Sequence, residues 1–166
     1  HENVAFDNII IGNGSNEILE LAARAFLNPN TSSVASKHAF AVYKIVTQSA
    51  GASLIEVPTC NWEHDLKSFE DYLESSTRVI FIANPNNPTG TYNSHEEVHS
   101  LLKKVPSSVL VVLDCAYFEY VTKEDYVKPL DLLNEFDNLL ITKTFSKIHG
   151  LASIRVGYGI ANSSLI

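Results

Sequence analysis

Cysteine and positive charge are both scarce in this sequence of 166 residues. The two cysteines, Cys60 and Cys115, lack a CxxC spacing and are too few for a disulfide scaffold, which is typical of reduced thiols in a cytosolic protein. Lysine and arginine number 12 against 19 acidic residues, so the formal net charge is -7 and no basic cluster stands out. We therefore expect neither nucleic acids nor anionic membrane surfaces as partners.

Long apolar runs are also missing. No segment approaches the length that crosses a bilayer, and the N-terminal "HENVAFDN" has neither the basic nor the apolar region of a signal peptide. The sequence therefore predicts a cytoplasmic protein without a membrane partner. A hydrophobic content of 45% indicates a folded globular domain rather than a disordered chain.

The length gives room for one compact core. The chain starts just before an apparent strand, "IIIGNG", and stops at "ANSSLI" without a terminal helix or a polar tail. We therefore expect a single domain, residues 1–166, that is a fragment of a longer protein.

Short apolar runs alternate with longer amphipathic ones along the chain. Runs such as "VIFIA" and "VLVVL" are apolar at every position, which is typical of strands buried on both faces of a parallel sheet. The pattern predicts an α/β fold, a three-layer open and mostly parallel sheet with helices on both faces. The predicted strands are 9–11, 33–35, 53–57, 78–83, 109–113, 139–142 and 156–160, and the predicted helices are 17–27, 41–50, 66–74 and 96–104, the last with Ser94 as N-cap.

Four chemically distinctive segments each follow a predicted strand. "GNGSNE" follows "III", "NPNNPTG" follows "VIFIA", Asp114 follows "VLVVL", and "KTFSK" follows "LLIT". In open α/β sheets, ligands bind beyond the carboxyl ends of the strands. The sequence therefore predicts one shared site at this edge of the sheet.

The first segment, "GNGSNE", has two explanations. It resembles a strand-to-helix turn whose free amides could hold a phosphate, and it also fits a simple glycine turn in which Ser15 or Asn16 caps a helix. It is not the dinucleotide fingerprint, because Glu17 occupies the position of the last glycine.

The second segment, "NPNNPTG", is more specific. Two prolines and a glycine fix a rigid loop, and such a loop can present the amide of Asn84, Asn86 or Asn87 in one orientation. A simple turn does not require two prolines and a glycine together, so we expect this loop to have a function.

The third segment begins with an acidic residue at the end of an apolar strand. An ionised carboxylate at Asp114 is costly there unless it meets a cation, although a turn-capping role is the alternative. Tyr117 is either a core aromatic or a phenol that faces the same site. Cys115 has no base or helix N-terminus paired with it, which favours a small buried thiol over a nucleophile.

A fifth pattern, "HEEVH" at residues 95–99, matches the HExxH motif of zinc proteases. The predicted helix that carries it follows the asparagine-proline loop on a polar, exposed face, and the spacing indicates no third ligand. We therefore predict no metal site in this chain.

The fourth segment, "KTFSK", contains Lys147, which lies between a hydroxyl-rich turn and a glycine, with Arg155 eight positions later. A lone loop lysine is usually solvated surface, but here the shared edge adds a carboxylate, a rigid loop and a helix start. A lysine amine forms Schiff bases with aldehydes, and a phosphate cradle with a buried aspartate suits an aromatic aldehyde that carries a pyridine nitrogen. These residues predict pyridoxal 5'-phosphate (PLP) as the cofactor.

Five motifs in order, "GNGSNE", "HAFAVY", "NPNNPTG", "DCAY" and "TFSKIHGLASIRVGY", resemble the fold-type I PLP-dependent aminotransferases, most closely the histidinol-phosphate aminotransferase family. The resemblance implies that residues 1–166 are the large PLP-binding domain of such an enzyme. It also implies the reaction of histidinol phosphate with 2-oxoglutarate, which gives imidazole acetol phosphate and glutamate in histidine biosynthesis. Aromatic aminotransferases and a phosphothreonine decarboxylase-like branch share the scaffold and stay open.

The same resemblance implies roles for individual residues. Lys147 would anchor the cofactor and move a proton, and Asp114 would pair with the pyridine nitrogen. Asn87 and Tyr117 would bind the 3-oxygen of the cofactor and complete the catalytic set, while Phe40 would stack on its ring. The phosphate would be held by Ser15, Asn16, Thr144, Ser146 and Arg155.

Members of this family are longer homodimers that act on amino and keto acids. Their N-terminal segment reaches the site of the partner subunit, and a small C-terminal domain supplies an arginine for the substrate carboxylate. We expect neither part to lie within these 166 residues. We therefore expect an almost complete cofactor site in a fragment that is inactive alone, and the alternative of a different class is a folded module without catalysis.

Overall fold

A seven-stranded sheet forms the centre of the computed structural model, which describes residues 2–166. In chain order the strands are β1 (Ile9–Asn13), β2 (Ser32–Ser36), β3 (Ser53–Val57), β4 (Thr59–Cys60), β5 (Glu63–His64), β6 (Thr77–Ala83), β7 (Leu110–Asp114), β8 (Leu139–Thr144) and β9 (Val156–Ala161). β4 and β5 form a separate hairpin, and the order across the main sheet is β1-β9-β8-β7-β6-β2-β3.

Six of the seven strands of the main sheet run in the same direction. β3, β2, β6, β7 and β8 pair in parallel, whereas β9 is antiparallel to both of its neighbours, β8 and β1. The six parallel strands therefore end at one edge of the sheet, and β9 begins at that same edge. The mostly parallel sheet predicted from the sequence is confirmed.

Both faces of the sheet are apolar, as the unbroken hydrophobic runs predict. Along β6, Val79 and Phe81 pack on one face, while Ile80 and Ile82 pack on the other. The first face is covered by α1 (Ser15–Phe26) and α2 (Val42–Ser49), and the second by α3 (His95–Lys104) and the short α4 (Pro129–Leu132). The three-layer α/β architecture is therefore confirmed.

The predicted helix 66–74 is wrong. This segment forms a single 3-10 turn at Phe69–Tyr72, in which only Phe69 is buried. Isolated helices of this length are only marginally stable, and the segment is held in turns by its contacts with the core, through the buried Leu66 and Phe69 and the partly buried Tyr72 and Leu73. The sequence prediction also missed the β4–β5 hairpin and α4, both of which are too short to show a periodic pattern.

The helices are short. The longest, α1, has 12 residues, and α3 has 10. Within residues 2–166, no helix combines the length and the apolar character that a membrane crossing requires.

The start of α3 is closed by reciprocal hydrogen bonds. Ser94 Oγ accepts from the backbone N–H of Glu97 at 3.3 Å, and Glu97 Oε2 accepts from the backbone N–H of Ser94 at 3.0 Å. This capping box satisfies two N–H groups that have no partner within the helix. The prediction of Ser94 as N-cap is confirmed.

The cap makes a testable contribution to stability. Replacing Ser94→Ala leaves the N–H of Glu97 without its acceptor, so we expect the free energy of unfolding to fall by about 1 kcal/mol in urea titrations. Ser100→Ala is the matched control, because Ser100 is an exposed position within the same helix. Equal losses in the two variants would contradict this role of Ser94.

Candidate active site

A cavity of about 210 Å³ lies where the predicted segments meet, at the carboxyl edge of the parallel strands. All ten residues that the sequence singled out for the site line it. Ala83, Pro85 and Ala116 complete the wall. The lining residues from the prediction are Ser15, Asn16, Phe40, Asn87, Asp114, Tyr117, Thr144, Ser146, Lys147 and Arg155.

Asp114 is the buried charge of this cavity. Its Oδ2 accepts a hydrogen bond from Tyr43 Oη at 2.9 Å, and its Oδ1 accepts from Thr142 Oγ1 at 3.0 Å and from the N–H of Ala116 at 3.3 Å. Burial raises the pKa of Asp114, and these hydrogen bonds with the charge of Lys147 oppose the rise only in part.

No salt bridge joins Asp114 to another of the residues 2–166. An ionised carboxylate that is 5% exposed is costly unless a positive charge compensates it. The cavity therefore presents a carboxylate that is suited to a cationic group on a ligand.

The three asparagines of the "NPNNPTG" loop have different surroundings. Asn84 is buried and exchanges two hydrogen bonds with the backbone of Asn93, at 2.9 and 3.0 Å. Asn86 donates through Nδ2 to the backbone oxygen of His38 at 2.8 Å and to a threonine hydroxyl of its own loop. Of the three, Asn87 lines the cavity. The first two asparagines therefore hold the loop, and the third is available to a ligand.

Two lysines lie close together in sequence, and only one of them lines the cavity. Lys143 lies within β8 and points away from it, because strand residues alternate between faces. Its Nζ forms salt bridges with Glu2 at 2.9 Å and Glu119 at 3.2 Å. Lys147 follows β8 in an exposed loop, and its Nζ lies 5.1 Å from the centre of the Tyr117 ring. Lys147 is therefore the amine of the site.

Hydroxyl and guanidinium groups gather beside the start of α1. Thr144 Oγ1 donates to Ser146 Oγ at 3.0 Å, and Arg155 Nη1 donates to the same oxygen at 3.4 Å. Ser15 is the first residue of α1, where backbone N–H groups lack helical acceptors. Hydroxyls, a guanidinium and a helix start are the donors that bind phosphate groups in proteins.

Two glycines allow this cluster to form. A Cβ on Gly14 would lie 2.4 Å from Arg155 Nη2, and a Cβ on Gly157 would lie 2.3 Å from the backbone nitrogen of Ser15. Arg155 itself adopts the left-handed conformation, with φ 59° and ψ 55°. The backbone is therefore shaped to bring the guanidinium against the start of α1.

Two alternative chemistries find no support in the geometry. His99 Nε2 lies 3.0 Å from Glu135 Oε2, and the His95 ring stacks beside that of His99. Across residues 2–166, no group of three or more His, Cys, Asp or Glu side chains is arranged for a metal ion. Cys115 is buried, and burial followed by the nearby Asp114 charge raises the pKa of its thiol, which makes it a poor nucleophile.

Sequence reasoning missed Tyr43 and Thr142, the two side chains that hold Asp114. Tyr43 is the last residue of "HAFAVY", three positions after Phe40, and its N–H donates to the backbone oxygen of Phe40 in the turn that leads into α2. Thr142 is the register partner of Asp114 on β8. The place of Tyr43 close to Phe40 in that motif could have indicated that it lies near the site, whereas Thr142 required the order of the strands.

Comparison with known proteins agrees with this geometry. The model of the family "Aminotransferase class I and II" matches residues 2–166. The chain belongs to that family. Histidinol-phosphate aminotransferase 2 of Pseudomonas fluorescens is 54% identical over 158 residues, which cover 95% of this chain and 43% of that protein. The histidinol-phosphate aminotransferase of a Geobacillus species is 47% identical over 166 residues, 46% of its length.

Solved structures of the family share the fold. Histidinol-phosphate aminotransferase from Sinorhizobium meliloti, determined in complex with pyridoxal-5'-phosphate, superposes with a TM-score of 0.90 and 28% identity, over 95% of this chain and 43% of that one. Aspartate aminotransferase from Thermotoga maritima gives a TM-score of 0.89 and 26% identity, over 98% and 44%. This aminotransferase chain thus has a fold-type I architecture and spans less than half the length of the relatives it matches.

The different roles of Asn86 and Asn87 in the asparagine loop can be tested by measuring the free energy of unfolding. Asn86→Ala leaves the His38 oxygen and a threonine hydroxyl without their donor, so we expect the free energy of unfolding to fall by about 1–3 kcal/mol. Asn87→Ala is the matched control in the same loop, and we expect it to change stability by less than about 0.5 kcal/mol. Urea unfolding of both variants measures the difference, and a larger loss for Asn87→Ala would overturn the assignment.

Proposed function

We propose that the complete protein is a PLP-dependent aminotransferase and that residues 1–166 are its large, cofactor-binding domain. The observation that carries this proposal is the single cavity lined by both the amine of Lys147 and the buried carboxylate of Asp114. Family membership supports the reaction class. The relatives' names support histidinol phosphate as the amino donor. The amino acceptor in this proposal is 2-oxoglutarate.

The residues around the cavity fit the charges of this cofactor. Its phosphate is an anion, for which Arg155, Ser146 and the start of α1 at Ser15 are suitable donors. Its protonated ring nitrogen is a cation of the kind that Asp114 needs in order to remain ionised while buried. Lys147 supplies the primary amine that an aldehyde requires.

When bound, PLP supplies an aldehyde carbon that amines attack and a ring that withdraws electrons from the substrate Cα. Lys147 would hold the cofactor through Nζ, and the same amine, once free, would take a proton from Cα. Asp114 would keep the ring nitrogen protonated, and its effect is strong because the site is buried. Asn87 and Tyr117 would donate to the 3-oxygen, and Phe40 would pack against the ring.

The proposal extends to the context of the complete protein. It would act as a cytoplasmic homodimer on small amino and keto acids in histidine biosynthesis. A region outside residues 1–166 would bind the substrate carboxylate. The length of the relatives, more than twice that of this chain, supports this division.

Borohydride reduction of the complete protein with bound PLP tests the cofactor site. We expect one reduced adduct, on Lys147, when peptides are mapped by mass spectrometry. Lys143 is the internal control, since it is buried and paired with Glu2 and Glu119 and should stay unmodified. We expect Lys147→Ala to abolish the adduct with an unchanged circular dichroism spectrum and to lower kcat by roughly 10³-fold. A folded wild type that takes no adduct at Lys147 would refute the proposal.

Substrate choice is tested with the same preparation. We expect kcat/KM for amino transfer to 2-oxoglutarate to be highest with histidinol phosphate, compared with phenylalanine and tyrosine. A preference for the aromatic amino acids, or release of carbon dioxide from phosphothreonine, would contradict the assigned substrate while leaving the cofactor site intact.

A further inference from the structure

Tyr43 lies behind the wall of the cavity rather than in it. Its side chain is buried, and it is not among the residues that line the cavity. The ring stacks on Phe81 with centroids 4.9 Å apart and planes 5° from parallel, and it meets Phe40 edge-on at 5.8 Å. These contacts fix the ring in place, so the hydroxyl at its tip has little freedom to leave Asp114.

The hydrogen bonds to Asp114 leave one acceptor position of its carboxylate free. A carboxylate offers about four acceptor positions, two on each oxygen. Oδ1 accepts from Thr142 Oγ1 and from the N–H of Ala116, which uses both of its positions. Oδ2 accepts from Tyr43 Oη alone. One position therefore remains for a cavity ligand, and it is on the oxygen that Tyr43 holds.

The donors that hold this carboxylate are neutral. Burial, followed by the charge of Asp114, raises the pKa of Tyr43 well above its ordinary value, so the phenol stays protonated and donates. Thr142 has no charge to contribute. Because neither donor cancels the negative charge of Asp114, that charge stays available to a cation in the cavity, where Lys147 is the nearby positive side chain.

We propose that Tyr43, assisted by Thr142, is the positioning residue that directs the free acceptor position of Asp114 Oδ2 at the ring nitrogen of the cofactor. This inference rests on the proposed function and deepens it. A packing role alone requires only the ring of Tyr43, which phenylalanine supplies equally well. The hydroxyl is the part that sets the interaction with the nitrogen.

The test compares two ligands that differ at one atom. PLP and its 1-deaza analogue, which has a C–H in place of the ring nitrogen, are titrated into the cofactor-free complete protein, and the ratio of the two dissociation constants is measured. In the wild type we expect PLP to bind more tightly. We expect Tyr43→Phe to reduce this preference by about tenfold, as for the loss of one hydrogen bond to a charged group.

The ratio separates positioning from packing. A variant that only loosens the site weakens both ligands equally and leaves the ratio unchanged. Tyr126→Phe is the matched control, because Tyr126 is a buried phenol whose hydroxyl donates to the backbone oxygen of Asn84 instead of to Asp114. We expect its ratio to equal that of the wild type. Asp114→Asn removes the carboxylate charge, and its ratio of dissociation constants is the reference for complete loss of the preference for PLP.

Thr142→Val gives a second, independent variant of the donor pair. We expect a smaller reduction than with Tyr43→Phe, because Oδ1 keeps the hydrogen bond from Ala116. If both variants fold and retain the wild-type ratio, the inference is overturned while the proposed function stands. If the wild type binds neither ligand at Lys147, the proposed function fails first, and the inference fails with it.

Discussion

The desolvation of one carboxylate constrains the whole site. Asp114 ends a strand whose other residues are buried and apolar, and an ionised group there is stable only with donors on its oxygens and a cation within reach. Helix α2 provides one donor, strand β8 another, and the turn after β7 a third. Three separate elements, α2, β8 and the turn after β7, are therefore held around the charge of Asp114. A cationic group of the ligand completes the compensation of that charge.

The parallel sheet is what brings these elements together. Neighbouring parallel strands end at the same height, so Ala83, Asp114 and Thr142 lie side by side in register. Each strand end, with the loop that follows it, then contributes its own chemistry: an amide from the asparagine loop, a carboxylate from Asp114 with the phenol of Tyr117, and an amine with hydroxyls. The middle of the sheet is apolar, because its two faces are filled by side chains that pack against helices, and the polar strand residues Asp114, Thr142 and Thr144 lie at its carboxyl edge.

Much of this could be predicted from the sequence, and the remainder has physical reasons. "VIFIA" and "VLVVL" identify buried parallel strands because both faces are apolar, and segments that follow such strands share an edge by geometry. The β4–β5 hairpin was not predicted because its turn uses Asn61 and Trp62 at positive φ, without the glycine that usually marks such turns. The hydrogen bond from Tyr43 to Asp114 joins a helix to a strand end 71 positions away, so no local pattern in the sequence shows it.

The antiparallel direction of β9 determines which site residues would be lost together in local unfolding. Because β8 and β9 are antiparallel neighbours, with Thr144 opposite Gly157, residues 145–155 form the connection of a hairpin. That one connection carries Ser146, Lys147 and Arg155. The amine and the main phosphate donors of the site therefore lie in the same loop. Separation of β8 from β9 would remove all three together. Local unfolding at this edge would therefore remove the amine and these phosphate donors in one event, while the carboxylate of Asp114 stays in place.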